Sequence, residues 1–275
     1  MLTDRLTNQV YFSEWIRQDF PVTFANVCRL LEKHGVKYGL LPHTRDYWCR
    51  DYMPVQVTDQ KFVRYTYYPD YLRSRRNRPF ITNPDRTLDE LGIKSVQSAL
   101  IIDGGNVVKC SQNIIMTEKV FWENQQLSPR VVVAELERLF ECEIVFLPWD
   151  RSEPYGHADG IVRWVADDVV LLTAYEQSRH FARKFREALE RHFNVIPLVY
   201  TTRPRSRNLT WAYINFLQTQ DVILVPAFGI KEDVQAMRQF EEVFSDYRGR
   251  IEQVDVSDIV GYGGALNCIS WNIKV

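Results

Sequence analysis

The stretch G-Y-G-G-A-L-N-C-I-S-W-N-I-K-V, residues 261–275, is the part of the chain from which the fold can be worked out. Three glycines in it allow a turn with positive φ and a close approach of the backbone: Gly261, Gly263 and Gly264. The turn delivers Cys268 to the start of a short apolar strand, 269–275. A cysteine held there is placed as a nucleophile would be, although a cysteine among apolar residues is more often a small buried hydrophobe.

Size and composition limit the classes of protein that fit. The chain has 275 residues, of which 45% are hydrophobic and 25% charged, enough for a large core. Its net charge of -1 argues against nucleic acid or an acidic membrane as the main partner. No early apolar run is long enough for a signal peptide or a membrane span, so we expect a cytoplasmic protein. Scattered cysteines without C-x-x-C spacing predict neither a disulfide framework nor a structural zinc site: Cys28, Cys49, Cys110, Cys142 and Cys268.

A unit of strand, polar loop, hairpin and helix occurs about five times along the chain, with the last copy incomplete. Polar residues lie in the loops at the strand ends and are separated by 52, 54, 58 and 53 positions. They are Asp51, Asp103, His157 with Asp159, Asn215 and Cys268. Such spacing is typical of a repeat architecture, in which no unit can bury its apolar face alone. We therefore predict an α+β fold in which five units close into a ring and their loops share one pocket.

The predicted ring is a single domain over residues 1–275. Its approximate repeats are 20–70, 95–142, 143–193, 194–245 and 246–275, the last closing the ring with the N-terminal unit. An arginine- and proline-rich segment at 70–86 is interpreted as a solvated surface loop, with a lid over a site as the alternative.

The five loops combine residue types that together indicate one chemistry. A cysteine and a histidine support covalent catalysis, in which the histidine moves protons. Several carboxylates in the same pocket repel one another unless something positive lies between them. A planar guanidinium would fit, because carboxylates bind it through paired charge-assisted hydrogen bonds. The residues therefore predict a cationic substrate with a planar, electrophilic carbon.

Each polar residue also has a simpler interpretation when it is taken alone. Asp51 could pair with a neighbouring arginine, and Asp103 could be an ordinary turn residue. His157 could be a hydrogen-bonded loop histidine, and Asn215 a polar strand residue. The regular spacing favours the joint interpretation over these four separate ones.

Five motifs resemble those of the agmatine deiminase and bacterial peptidylarginine deiminase family. They are W-C-R-D-Y-M-P at 48–54, D-G-G-N at 103–106, G-H-A-D-G at 156–160, A-Y-I-N-F at 212–216 with V-I-L-V-P-A-F-G at 222–229, and G-G-A-L-N-C-I-S at 263–270. They occur in the family's order and cover roughly residues 36–275. The resemblance implies the pentein fold, a five-bladed αβ propeller found in guanidine-modifying enzymes.

The resemblance also implies a role for each matching position. Cys268 would be the nucleophile that forms a covalent thiouronium, His157 the general acid and then base, and Asp103 the residue that orients the histidine. The substrate-binding residues would be Asp51, Asp159, Asn215, Trp48 and Arg50. The implied enzyme is a C–N hydrolase of linear amidines, converting agmatine, arginine or an arginine derivative to a ureido compound and ammonia. The resemblance implies no metal and no organic cofactor. It also implies a role in putrescine and polyamine biosynthesis, with a homodimer as a possible assembly.

Departures from the family's motifs leave two alternatives open. Met53 replaces a glycine, Asp103 replaces a glutamate, and Asn267 replaces the histidine before the cysteine. Aspartate at position 103 is reminiscent of amidinotransferases, so transfer to an amine, or a double hydrolysis, is the first alternative. A non-catalytic binding module with the same fold is the second. A cysteine protease is disfavoured, since extra carboxylates would oppose its oxyanion.

The group that receives the substrate's tail is not readable from spacing. A free amino acid would need a cation for its carboxylate, with Arg64, Arg203 and Arg207 as candidates. A decarboxylated amine would instead need a further acidic residue to bind its ammonium group. A peptide would need a pocket with a wide opening to solvent.

Overall fold

A computed structural model describes residues 1–175, 178–201 and 209–275. Within these ranges the strands are short, as the frequent turn residues predict: β1 Gln9–Ser13, β2 Lys37–Leu41, β3 Val55–Gln56, β4 Phe62–Thr66, β5 Val96–Ile101, β6 Val108–Lys109, β7 Asn113–Thr117, β8 Glu143–Leu147, β9 Val162–Ala166, β10 Val169–Leu172, β11 Asn194–Pro197, β12 Leu217–Gln218, β13 Ile223–Ala227, β14 Ile251–Asp255 and β15 Ser270–Ile273. The helices are α1 Glu14–Asp19, α2 Pro21–Lys33, α3 Cys49–Tyr52, α4 Asp85–Leu91, α5 Lys119–Glu123, α6 Pro129–Phe140, α7 Arg179–Leu189 and α8 Lys231–Val243.

The described strands form five separate three-stranded sheets. In chain order these are β15-β1-β2, β3-β4-β5, β6-β7-β8, β9-β10-β11 and β12-β13-β14. In each sheet two strands pair antiparallel and a third pairs parallel to the middle one. A parallel neighbour needs a crossover connection, which the longer helices supply. The predicted α+β pentein architecture is therefore confirmed.

Helices and sheets bury their apolar faces against each other. Helix α2 packs on β2 and β14, and α6 packs on β8. Both helices begin with a proline at their first position, where the missing N–H costs nothing. Apolar residues on their inner sides, such as Val27, Leu31, Val132 and Leu136, are fully buried. The core therefore lies between the sheets and the surrounding helices.

Short helical turns follow the parallel strand of each sheet and lead into the next hairpin. Helix α3 contacts the turn Gly104–Asn106, which contacts Ala158–Gly160, which in turn contacts Thr210–Ile214. Helix α3 also contacts β15, directly after Cys268. These turns carry the polar residues of the predicted pocket, so the fold brings the loops of successive units together.

Three details differ from the sequence-based prediction. The sequence predicts a hairpin in which A-Y-I-N-F-L at 212–217 pairs with V-I-L-V-P at 222–226, but the chain forms a 3-10 helix at Thr210–Ile214, and only β12 pairs in that hairpin. The N-terminal segment holds a strand, β1, between β15 and β2. The 70–86 segment includes two 3-10 turns, Asp70–Leu72 and Arg78–Phe80, and leads into α4.

Among the described helices, none is both long and apolar enough to cross a bilayer.

The N-terminal segment contributes the counter-ion of a buried cation cluster. Asp4 Oδ1 lies 2.9 Å from the Lys109 ammonium, and Arg163 Nη2 donates to Asp4 Oδ2 at 2.9 Å. Burial alone would raise the pKa of Asp4, but Lys109, Arg50 and Arg163 lower it below its usual range. The carboxylate therefore balances the charges of buried cations.

We predict that Asp4→Asn destabilises the protein by about 3 kcal/mol, because it leaves buried cations without their counter-ion. Urea denaturation followed by circular dichroism measures the change in the free energy of unfolding. The matched control is Asp59→Asn. Asp59 forms an ion pair with Lys274 at the surface, and its side chain is 69% exposed. Equal stability of Asp4→Asn and wild type would contradict the assigned role of the carboxylate.

Candidate active site

Asn215 holds the turn that carries Cys268. Its Oδ1 accepts the backbone N–H groups of Ala265, Asn267 and Cys268 at 3.2, 3.1 and 3.2 Å. The Asn215 carbonyl accepts a second bond from the Asn267 N–H at 3.0 Å. One fully buried side chain thus satisfies three donors of the turn, which would otherwise cost free energy when buried.

Two of the glycines before Cys268 are required by their surroundings. Gly263 has φ +95°, and a Cβ on it would lie 2.8 Å from the Tyr155 ring. A Cβ on Gly264 would lie 2.3 Å from the Trp48 ring. Gly261 has neither a positive φ nor a neighbour within 4 Å, so the expected need for glycine does not hold there.

His157 is held between two carboxylates. Its Nε2 lies 3.0 Å from Asp103 Oδ2, and its Nδ1 lies 3.7 Å from Asp51 Oδ1. The Gly105 N–H donates to the same Asp51 oxygen at 2.9 Å. A Cβ on Gly105 would lie 2.6 Å from His157 Nδ1, so the D-G-G-N motif leaves the space in which the imidazole sits.

Asp159 lies directly beside the thiol. The Cys268 Sγ is 3.7 Å from Asp159 Oδ2. The same oxygen accepts the side-chain amides of Asn215 at 3.1 Å and Asn267 at 2.7 Å. Asn267, at the position of the family's histidine, therefore orients a carboxylate of the site.

Burial and mutual repulsion shift the protonation of these groups. Burial, with the negative charges of Asp159 and Asp51, raises the pKa of Cys268 well above its usual range. Burial also raises the pKa of Asp51 to about 7, against a lowering contribution from His157. For His157, burial favours the neutral ring, but Asp51, Asp103 and Asp159 outweigh it and raise the pKa to about 9. At neutral pH these shifts favour the imidazolium of His157 and the protonated thiol of Cys268.

Two cavities open on the thiol from different sides. The Trp149 chamber, of about 220 Å³, is lined by Trp149, Asp150, Glu153, Asp159, Tyr175 and Trp211. The Trp48 chamber, of about 340 Å³, is lined by Asp46, Trp48, Asp51, Tyr71, Leu72 and Phe80. Both are also lined by Tyr155, His157, Gly263 and Cys268. The thiol and imidazole therefore lie where the two chambers meet.

Comparison with known proteins identifies the family. The sequence model of the Porphyromonas-type peptidyl-arginine deiminases matches residues 22–273. The chain belongs to this family. A Legionella pneumophila protein provisionally named agmatine deiminase is 28% identical over 195 residues, covering 62% of this chain and 55% of that protein. The chain thus spans about half the length of the curated relatives it matches.

Solved structures share the fold across nearly the whole chain. The agmatine deiminase of C. jejuni has a TM-score of 0.79 at 15% identity and covers 99% of this chain and 95% of its own. A dimethylarginine dimethylaminohydrolase from Pseudomonas aeruginosa has a TM-score of 0.62 at 13% identity, covering 97% of this chain and 99% of its own. At such identities the likeness establishes the pentein fold alone.

Some residues singled out from the family's motifs lie outside the two chambers. Arg50 donates to the Asn267 carbonyl at 3.3 Å and to Asn272 Oδ1, and it lines neither chamber. Met53 is buried in an apolar cluster and also lines neither. Arg64 bonds to Gln97 at the surface. Arg203 and Arg207 lie outside the described residues.

Two residues beside Asp103 were not predicted from the sequence: Lys119, which is buried, and Tyr71, which is partly buried. The Lys119 ammonium donates to the Tyr155 carbonyl at 2.7 Å and lies 3.1 Å from Asp70 and 3.8 Å from Asp103. It also lies 4.7 Å from the centre of the Tyr71 ring, whose hydroxyl donates to Asp103 at 3.4 Å. The 70–86 segment, interpreted as a solvated loop, therefore forms one wall of the site.

These contacts have no clear signature in the sequence. Lys119 follows a strand at an ordinary helix start, and Tyr71 is one aromatic residue in a polar stretch. A buried lysine needs several acceptors, and only the folded chain brings Asp70, Asp103 and Glu123 around the Lys119 ammonium.

We predict that Asp159→Asn speeds alkylation of Cys268 by iodoacetamide. The substitution keeps an acceptor for Asn267 and removes a negative charge beside the sulfur. A lower thiol pKa gives more thiolate at a given pH, so the rate at pH 8 rises about tenfold for each unit by which the pKa falls. Asp150→Asn is the control, because this carboxylate lines the same chamber but bonds to Ser152 and Tyr175. Equal rates for Asp159→Asn and wild type across pH 7–10 would contradict the assigned electrostatics.

Proposed function

We propose that the chain hydrolyses the guanidino group of a small linear guanidine to a ureido group and ammonia through Cys268. The observation that carries the proposal is the convergence of Asp51, Asp103 and Asp159 on one thiol and one imidazole. Three buried carboxylates repel one another, and a planar cation between them relieves the repulsion. Membership of the deiminase family supports the same reaction class.

The first half of the reaction forms a covalent intermediate. Asp51 and Asp159 bind the guanidinium nitrogens, and the bound cation lowers the pKa of the neighbouring thiol, which loses its proton to solvent and becomes the thiolate. The Cys268 sulfur attacks the central carbon and forms a C–S bond. His157, protonated at neutral pH, donates a proton to the departing nitrogen, and the C–N bond breaks. Ammonia leaves, and a thiouronium remains on Cys268.

The second half releases the product. The now neutral His157 accepts a proton from water, which attacks the same carbon. The C–S bond breaks as the urea carbonyl forms, the second proton of the water passes to solvent, and Cys268 leaves as the thiolate that began the reaction. Asp103 keeps the imidazole oriented through its bond to Nε2, which leaves Nδ1 facing the reaction. Positioning of this kind supports both proton transfers by a single residue.

A cationic tail suits the Trp149 chamber better than a carboxylate. Asp150 and Glu153 line this chamber with four aromatic residues, Trp149, Tyr155, Tyr175 and Trp211. Burial would raise the pKa of Asp150, but bonds from Ser152 and Tyr175 lower it below its usual value, which favours the carboxylate. Among the described lining residues of both chambers there is no lysine or arginine. An aliphatic chain ending in an ammonium group, as in agmatine, is therefore the proposed substrate.

The proposal extends to the setting of the reaction. Deimination of agmatine leads toward putrescine, so we place the chain in polyamine biosynthesis. All five cysteines are unpaired, which agrees with a reducing compartment such as the cytoplasm. A homodimer is the proposed assembly. Amidino transfer is the second candidate, favoured by Asp103 and by the second chamber beside the thiol.

We predict that wild type converts agmatine to its ureido product and that Cys268→Ala reduces this turnover at least about 10³-fold, since no other group supplies the nucleophile. Mass spectrometry of the products, over a panel of agmatine, arginine and an arginine peptide, measures the reaction. The matched control is Cys142→Ala, a cysteine outside both chambers. Undiminished turnover by Cys268→Ala would contradict the proposal, and a new guanidine on an added amine would favour transfer.

We predict that Asp150→Asn raises KM for agmatine about tenfold with a smaller change in kcat, because the removed charge acts on the tail and not on the reacting carbon. The same variant should lose less activity toward an uncharged analogue, butylguanidine. Steady-state kinetics with both substrates measure the difference. An equal loss with both would show that Asp150 supports the fold of the cleft and does not recognise the tail.

A further inference from the structure

The two chambers leave room beside a second nitrogen of the bound guanidine. Asp159 lines the Trp149 chamber and Asp51 lines the Trp48 chamber, while Cys268 lies at their junction. A guanidinium bound by Asp159 and Asp51 together would present one nitrogen toward each chamber. The substrate's tail can occupy only one chamber, so the other chamber faces a nitrogen that carries no tail. The chamber without the tail is a cavity. A guanidine with no substituent on its second nitrogen would leave this cavity unfilled.

The charges and the walls indicate which chamber takes the tail. The Trp149 chamber offers Asp150 and Glu153 to a cationic tail. The Trp48 chamber has an apolar and aromatic wall formed by Trp48, Tyr71, Leu72 and Phe80. Such a wall suits a small alkyl or aryl group, which gains free energy when it leaves water.

The imidazole indicates which nitrogen departs. Nε2 of His157 is engaged by Asp103 at 3.0 Å, so the Nδ1 proton is the one available to the substrate. Nδ1 lies on the side of Asp51, at 3.7 Å from its carboxylate. The nitrogen bound by Asp51 is therefore the nearest candidate to receive the proton. That nitrogen is also the one that faces the Trp48 chamber.

The departing amine would also meet acceptors in this chamber. An alkylamine is protonated at neutral pH, and a cation is stabilised by a carboxylate nearby. Asp46 lines the Trp48 chamber together with Asp51. The chamber thus combines an apolar wall for a substituent with carboxylates for the ammonium group that the substituent carries.

We propose that the Trp48 chamber is a leaving-group site, and that the chain hydrolyses guanidines whose departing nitrogen carries an alkyl group, releasing an alkylamine. The inference rests on the proposed guanidine hydrolysis. Cys268 forms the C–S bond, the C–N bond to the substituted nitrogen breaks, and His157 supplies its proton. Water then replaces sulfur on the carbon. The overall reaction is one disubstituted guanidinium and one water to one monosubstituted urea and one alkylammonium.

The test compares agmatine with its derivative that bears an ethyl group on a terminal guanidino nitrogen. We expect the derivative to give the same ureido product as agmatine, with ethylamine in place of ammonia. We expect its kcat/KM to lie within about tenfold of the agmatine value, a difference of about 1.4 kcal/mol in transition-state binding. Mass spectrometry identifies the urea and the amine in one reaction mixture.

Filling the chamber tests its location. Phe80 lies on the cleft rim with half of its surface exposed, so Phe80→Trp should fold and should narrow the Trp48 chamber. We expect the ratio of kcat/KM for the ethyl derivative to that for agmatine to fall about tenfold. Val131→Trp, an exposed position that lines neither chamber, is the matched control for adding an indole. Its ratio should equal that of wild type.

The outcomes separate this inference from the proposed function. Turnover of agmatine without turnover of the ethyl derivative overturns the leaving-group site alone. Release of ammonia with a disubstituted urea also overturns it, because the substituted nitrogen would then stay on the product. An unchanged ratio in Phe80→Trp overturns the assignment of the chamber. Failure of both substrates overturns the proposed function together with the inference that rests on it.

Discussion

The repulsion among Asp51, Asp103 and Asp159 is the constraint on which the rest of the site depends. Buried carboxylates this close to one another and to a thiol are stable only with positive charge among them. His157 supplies one charge, held at 3.0 Å from Asp103. Burial, together with the negative charges of Asp159 and Asp51, raises the pKa of Cys268 and so favours the protonated thiol over the thiolate. In the proposed mechanism a bound guanidinium offsets the carboxylate charges and lowers the pKa of the thiol, so that the thiol would be activated when the substrate binds.

The ring of five sheets explains how three mutually repelling carboxylates are held beside the thiol and the imidazole. Each polar turn packs against the next around the ring, so that no carboxylate depends on one flexible loop. Asn215 fixes the Cys268 turn through three backbone bonds, and Asn267 fixes Asp159. Behind them, Asp4 compensates the buried cations Lys109 and Arg163. The repulsion between the carboxylates is thereby opposed by turns whose hydrogen bonds fix them and by buried ion pairs behind them.

The fold was predictable because most hairpins carry short apolar strands between turn residues, and because the polar positions recur at an even spacing. That spacing also grouped residues which the ring brings together, from Asp51 to Cys268. It could not locate Lys119 or Tyr71, since their partners come from segments whose sequences look like ordinary polar surface. The motif match likewise could not tell that Arg50 turns away from both chambers. Side-chain direction depends on packing that periodicity does not encode. The roles assigned to the site residues and the exact repeat boundaries stay predictions.

The covalent bond to Cys268 is the central claim, and an acid-quench experiment measures it directly. Wild-type protein would be mixed with agmatine, quenched within the first turnovers, digested with trypsin and mapped by mass spectrometry. The account predicts that the peptide covering residues 251–274, which contains Cys268, gains the mass of the substrate less one ammonia. Steady turnover without any adduct on this peptide, or an adduct on another cysteine, would contradict it.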